Sequence, residues 1–89
     1  MNIWTFYLTE TAEEDLKRIS YLDKKRILIK IKWLKENFEK ITPMPLHGVW
    51  QGFFKFRIGI WRVIYEIEYN RKIIIIHYIG KRDAIYKKK

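Results

Sequence analysis

The sequence predicts an α+β fold, a small antiparallel β-sheet in the order β-α-α-β-β-β with two N-terminal helices packed on one face. Three observations carry this reading. Apolar residues recur at three- and four-residue spacing between residues 12 and 38, prolines at 43 and 45 close that stretch, and the last third is rich in β-branched and aromatic residues broken by short turn sequences. The 89 residues contain no linker, repeat or low-complexity segment, so residues 1–89 read as a single domain.

The opening strand spans Ile3 to Leu8, where Trp4, Phe6 and Leu8 alternate with Ile3, Thr5 and Tyr7. Thr11-Ala12-Glu13-Glu14 has the form of a capping box, which starts a first helix running to about Ser20 with Ala12, Leu16 and Ile19 on its inner face. Asp23 is the expected cap of a second helix, whose inner face is Ile27, Ile31, Leu34 and Phe38. Thr42-Pro43-Met44-Pro45 ends helical structure, because each proline lacks an N–H and drives its predecessor toward extended conformations. A loop through Gly48 and Gly52 leads into strands at Phe53 to Ile58, Trp61 to Glu68 and Ile73 to Ile79, with turns at Gly59 and at Tyr69-Asn70-Arg71. The N-terminal strand joins the same sheet.

Alternation assigns the faces. Phe53, Lys55 and Arg57 share one side of their strand, and Phe54, Phe56 and Ile58 the other. In the next strand Trp61, Val63, Tyr65 and Ile67 are the apolar set that meets the helices, which turns Arg62 to the side of Lys55 and Arg57, together with Ile64, Glu66 and Glu68. Gly80-Lys81-Arg82-Asp83 and Tyr86 form a basic tail able to fold back over the sheet.

Nineteen Lys and Arg against ten Asp and Glu give a formal net charge of +9, which draws in polyanions with steep salt dependence. Nucleic acid is the natural partner for such a field; a membrane surface or an acidic protein also fits. The absence of cysteine excludes disulfides, a thiolate nucleophile and Cys-based zinc sites, and two histidines make a poor metal site, so neither cofactor nor metal is expected. The N-terminal residues lack a basic and then apolar leader pattern, and Ile73 to Ile76 is too short to span a bilayer. A soluble cytoplasmic protein without membrane partners is the expectation.

Guanidinium and ammonium groups held on a rigid sheet can grip a phosphodiester and stabilise the extra negative charge of a pentacovalent transition state. The competing reading is a solvated outer sheet face, where Lys and Arg are common. Pro45-Leu46-His47-Gly48, Gly52-Phe53-Phe54-Lys55-Phe56-Arg57-Ile58-Gly59, Trp61-Arg62-Val63-Ile64-Tyr65-Glu66-Ile67, Ile79-Gly80-Lys81-Arg82-Asp83 and Ile85-Tyr86, taken in order, resemble the RelE/ParE superfamily of toxins from type II toxin-antitoxin systems. The resemblance follows the element order of the whole chain and is densest from residue 45 to 86. It implies either a RelE-like ribosome-dependent endoribonuclease that cleaves mRNA or a ParE-like inhibitor of DNA gyrase; an inactive, basic RNA-binding relic is a third reading.

On the RelE-like side, the resemblance gives catalytic places to Lys55, Arg57, Arg62, Arg82 and Tyr86, and this full set favours the nuclease. It implies attack of a ribose 2′-OH on the adjacent phosphate, with Lys55, Arg57 and Arg62 on the phosphate, Arg82 at the leaving oxygen and Tyr86 against a nucleotide. Arg57 departs from the pattern, since it stands where relatives carry a lysine proposed as general base and a guanidinium does not readily accept a proton. The base is then open among Lys55, Tyr86 and a group of ribosomal RNA. The partners implied are a cognate antitoxin, in a hetero-oligomer, and mRNA on the ribosome with contacts to 16S rRNA.

Other residues have plainer readings. His77 shares a face by alternation with Ile73, Ile75 and Ile79, and reads as a hydrogen-bonded core histidine if that face is buried. His47 reads as a surface residue, and Glu66 and Glu68 as charge balance for Arg62. The lysines of the second helix read as its wet side, and Lys87-Lys88-Lys89 as a non-specific tail. Trp4, Trp33 and Trp50 are core residues or anchors for the antitoxin.

Overall fold

The chain's computed structural model describes residues 3–82. Strand β1, Thr5–Leu8, runs directly into helix α1, Glu10–Lys17, because Thr9 serves both elements. Its N–H donates to the Ile76 carbonyl at 3.0 Å, as the last rung of the strand, and its hydroxyl accepts from the Ala12 N–H at 3.2 Å, as the helix cap. The cap is therefore Thr9 rather than Thr11, which lies inside the first turn. The sheet fixes where the strand ends, and so where the helix starts. Helix α2, Tyr21–Glu36, is capped by the Ser20 hydroxyl, which accepts from the Asp23 N–H at 3.4 Å. Asp23 is thus not the cap but lies in the first turn, near the positive end of the helix dipole.

After α2 a single 3-10 turn, Phe38–Lys40, buries Phe38. The two-residue strand β2, Met44–Pro45, and a second 3-10 turn, Gly48–Trp50, precede strands β3, Phe54–Ile58, β4, Trp61–Glu68, and β5, Ile73–Lys81. Gly59 has φ +59° and Ile60 follows it, the glycine-first pattern of a tight hairpin turn between β3 and β4.

The sheet order is β1-β5-β4-β3-β2. The expected β3-β4-β5 meander is antiparallel, but β1 pairs with β5 in parallel, Thr5 opposite Ile73 and Leu8 opposite Ile76, so the sheet is mixed. Short turns force antiparallel pairing only on strands adjacent in sequence; β1 and β5 are joined through the whole intervening chain, which leaves their relative direction free.

Both helices pack on one face of this sheet, as the apolar spacing predicted. Ala12, Leu16 and Ile19 from α1 and its exit meet Ile27, Ile31, Leu34 and Phe38, and all of these join Ile58, Trp61, Val63, Tyr65, Ile74, Ile76 and Ile79 of the sheet. Strand β5 changes phase midway: Tyr65 pairs with Ile76 but Ile64 with Tyr78, leaving His77 as an inserted residue. Ile79 therefore enters the core, instead of sharing the face of Ile73, Ile75 and His77. Where β1 ends, α1 takes over the edge of β5. The carboxylate of Asp15, itself buried, accepts from the Ile79 N–H at 2.9 Å.

Among the described residues the opposite face is covered in part. The segment between β2 and β3 folds Trp50 over Ile64, with Leu46, Phe53 and Tyr78 around it. Trp50 meets Phe53 and Tyr78 edge to face, at 5.8 and 5.4 Å between ring centroids. Among the described residues no helix is long and apolar enough to cross a membrane.

Candidate functional site

The ladder between β3, β4 and β5 sets the geometry of the basic end of the sheet. Lys55 lies opposite Ile64, and Ile64 opposite Tyr78; one row further along, Arg57 lies opposite Arg62, and Arg62 opposite Gly80. Residues directly opposite one another share a face, so Lys55, Arg57 and Arg62 stand together on the side away from the helices, as alternation predicted.

A cleft of about 390 Å³ opens at this end, lined by Arg57, Gly59, Ile60, Arg62, Lys81 and Arg82. Arg62 is only 6% exposed. Its Nη1 donates to the carbonyls of Gly59 and Trp61, each at 3.3 Å. Among the described residues no carboxylate pairs with Arg57, Arg62 or Arg82. Cations set directly opposite one another in a ladder repel, and a buried one costs more where no carboxylate answers it; a bound anion would offset both.

Of the predicted site residues, Arg57, Arg62 and Arg82 meet in this cleft. Lys55 is on the same face but lines a neighbouring groove of about 290 Å³, to which Arg57 also contributes. Tyr86 lies outside the described residues. The sequence reading missed Lys81, whose ammonium sits 5.8 Å above the Trp61 ring, and the Gly59 carbonyl that holds Arg62. The Gly80-Lys81-Arg82 run carried a signal for Lys81, since a strand continuing past Ile79 brings it opposite Trp61.

The acidic residues of this face do not serve Arg62. Glu66 Oε1 lies 2.9 Å from His77 Nε2, and Glu68 accepts from the Asn70 N–H at 3.0 Å. The inserted position of His77 turns its ring out of the core toward Glu66 and the edge of Phe53, 5.1 Å away between centroids. His77 is thus a half-buried member of the face away from the helices, and Glu66 and Glu68 are bonded to neighbours other than the arginine.

Comparison with known proteins gives this geometry a context. Residues 6–86 match the family model described as ParE toxin of type II toxin-antitoxin system, parDE. No curated protein matches the sequence. Among solved structures, the RelBE2 toxin-antitoxin complex of Mycobacterium tuberculosis is similar with a TM-score of 0.76 at 22% identity, covering 89% of this chain and 98% of the other. The isolated RelE toxin of E. coli is similar with a TM-score of 0.72 at 16% identity, covering 96% and 93%. The chromosomal ParDE system of P. aeruginosa gives 0.72 at 15% identity, covering 91% and 98%. With the family match spanning nearly all of its length, the chain belongs to the RelE/ParE superfamily, as a toxin of a type II toxin-antitoxin system.

Proposed function

We propose that this toxin is a ribosome-dependent endoribonuclease of the RelE-like branch, acting on mRNA in the cytoplasm. The observation that carries the reading is Arg62, a buried guanidinium facing Arg57 in a cleft with Lys81 and Arg82 and with no carboxylate partner among the described residues. A phosphodiester supplies the missing charge, and its pentacovalent transition state carries more of it than the ground state.

In the reaction a base takes the proton of a ribose 2′-OH, the 2′ oxygen attacks the adjacent phosphorus, and the bond from phosphorus to the 5′ oxygen breaks. The 5′ oxygen leaves with a proton. The products are a 2′,3′-cyclic phosphate and a 5′-OH. Arg57 and Arg62 hold the non-bridging oxygens, Lys55 adds charge from the adjoining groove, Arg82 steadies the leaving oxygen, and Tyr86 orients a nucleotide. Arg57 is unsuited to be the base, which leaves Lys55, Tyr86 or a group of the ribosome.

A cognate antitoxin is the natural partner, and an acidic segment lying over the cleft would satisfy the same cations in a toxin-antitoxin hetero-oligomer. The match to a family named for ParE, and the likeness to a ParDE system, favour gyrase inhibition as the second reading. Inducible expression of single variants separates the two. Under the nuclease reading Arg62→Ala and Arg82→Ala each relieve growth arrest, with Arg62→Ala slowing cleavage by about 100-fold or more. Under the gyrase reading plasmid supercoiling is lost while transcripts stay intact, and undiminished toxicity of both variants would falsify the nuclease assignment.

A further inference from the structure

The groove beside the arginine cleft has a chemistry of its own. Strand β2 pairs with β3 only at Phe54 and Lys55. Pro43, next in line, has no N–H to continue the ladder, and the chain turns away there. The space left between α2 and the far part of β3 is the groove of about 290 Å³, with Trp33, Met44 and Phe56 among its walls and Lys55 and Arg57 at its rim. Among the described residues no acidic side chain lines it.

Trp33 is the unusual wall. It is 45% exposed, although Trp4, Trp50 and Trp61 are all buried. Its ring lies within 6° of parallel to that of Phe56, with centroids 6.2 Å apart. An exposed indole backed by a half-buried ring and bordered by cations is what a single-stranded nucleic acid uses: a base stacks on the indole while the backbone follows the charge. Arg57 lines both this groove and the cleft, so a phosphate gripped in one is joined by a short stretch of backbone to a base in the other.

We propose that this groove is a nucleobase-binding subsite, in which Trp33 stacks a base of the RNA strand whose phosphate occupies the arginine cleft. The proposal rests on the reading of the toxin as RNA-directed. It gives a role to an indole left half in water beside Lys55 and Arg57 when the other three tryptophans are buried, and to Arg57 as the side chain shared by the two spaces.

The test uses the full chain and an RNA trinucleotide carrying 2′-O-methyl groups, which binds but cannot be cut, with the fluorescence anisotropy of a dye on the RNA as the readout. Trp33→Leu keeps the apolar area but removes the stacking face, and should weaken binding roughly tenfold; Trp33→Phe should stay within about threefold of wild type. Removing one base at a time from the probe should reproduce the Trp33→Leu loss at a single position, and Trp33→Leu should add nothing further on that abasic probe. Thermal melting of both variants checks that α2 is intact. Equal affinity of wild type and Trp33→Leu overturns the subsite. So does no binding of the probe to wild type, or a Trp33→Leu chain that binds RNA normally but loses affinity for the antitoxin, which would assign the groove to a protein partner. If transcripts are cut by Trp33→Leu as by wild type while probe affinity is unchanged, the subsite falls and the nuclease stands. If no transcript is cut but RNA binding depends on Trp33, the nuclease falls and the subsite stands.

Discussion

Two buried polar side chains show what a single residue contributes here. Asp15 falls three positions after Ala12, inside the apolar stripe of α1, and an acid at such a position was the one cue to its role in holding the Ile79 N–H. What the sequence does not reveal is that β1 stops short and leaves that N–H without a strand partner. Asp15→Ala should destabilise the protein by about 1 to 3 kcal/mol, read from chemical denaturation, because a buried donor is left unsatisfied; an unchanged midpoint would contradict this. Tyr65 is nearly fully buried, and burial, with a smaller effect from nearby Tyr69, raises its hydroxyl well above the usual phenol range. The folded form then keeps a proton that the unfolded chain releases above about pH 10, so stability should fall as pH rises past that point, by about 1.4 kcal/mol per pH unit. Tyr65→Phe should abolish that component of the pH profile.

The elements were legible where a local pattern decides them. The inner faces of both helices, the bounds of β4 and the Gly59 turn follow from spacing and turn chemistry alone, and so does the common face of Lys55, Arg57 and Arg62. The caps were misplaced because Thr9 and Ser20 are chosen by where sheet and loop deliver the chain, while Thr11 and Asp23 look equally suitable in sequence. Thr9→Ala should cost about 1 kcal/mol, and Thr11→Ala much less, measured as a pair by thermal unfolding. The phase change at His77 was invisible for a similar reason: a bulge inserts one residue without a compositional mark, and every face assigned beyond it by simple alternation is inverted. Gly59→Ala should destabilise the hairpin through its left-handed backbone and also displace the carbonyl that anchors Arg62. Loss of toxicity greater than the loss of stability would mark that second effect.

At the scale of the molecule, a chain of net charge +9 folds into a sheet whose one face is taken by helices and on whose other face, among the described residues, Trp50 and its neighbours cover the centre. The loop that carries Trp50 and the parallel β1 depend on contacts between distant segments, which no local pattern encodes; the common face of the basic residues did follow from alternation, except that Lys55 opens into the adjoining groove. Affinity for single-stranded RNA should fall with salt, with a slope in log–log form of about −0.7 per phosphate held, and Arg57→Gln should reduce that slope by about that amount. A slope indifferent to Arg57 would remove it from the phosphate contact. If the arginine cleft cuts RNA, the chemistry of transcript ends after brief induction in growing cells reports it directly: new ends should fall within translated codons, bearing a 2′,3′-cyclic phosphate upstream and a 5′-OH downstream, and be absent with Arg62→Ala. Growth arrest by the wild-type toxin with no such ends would contradict it.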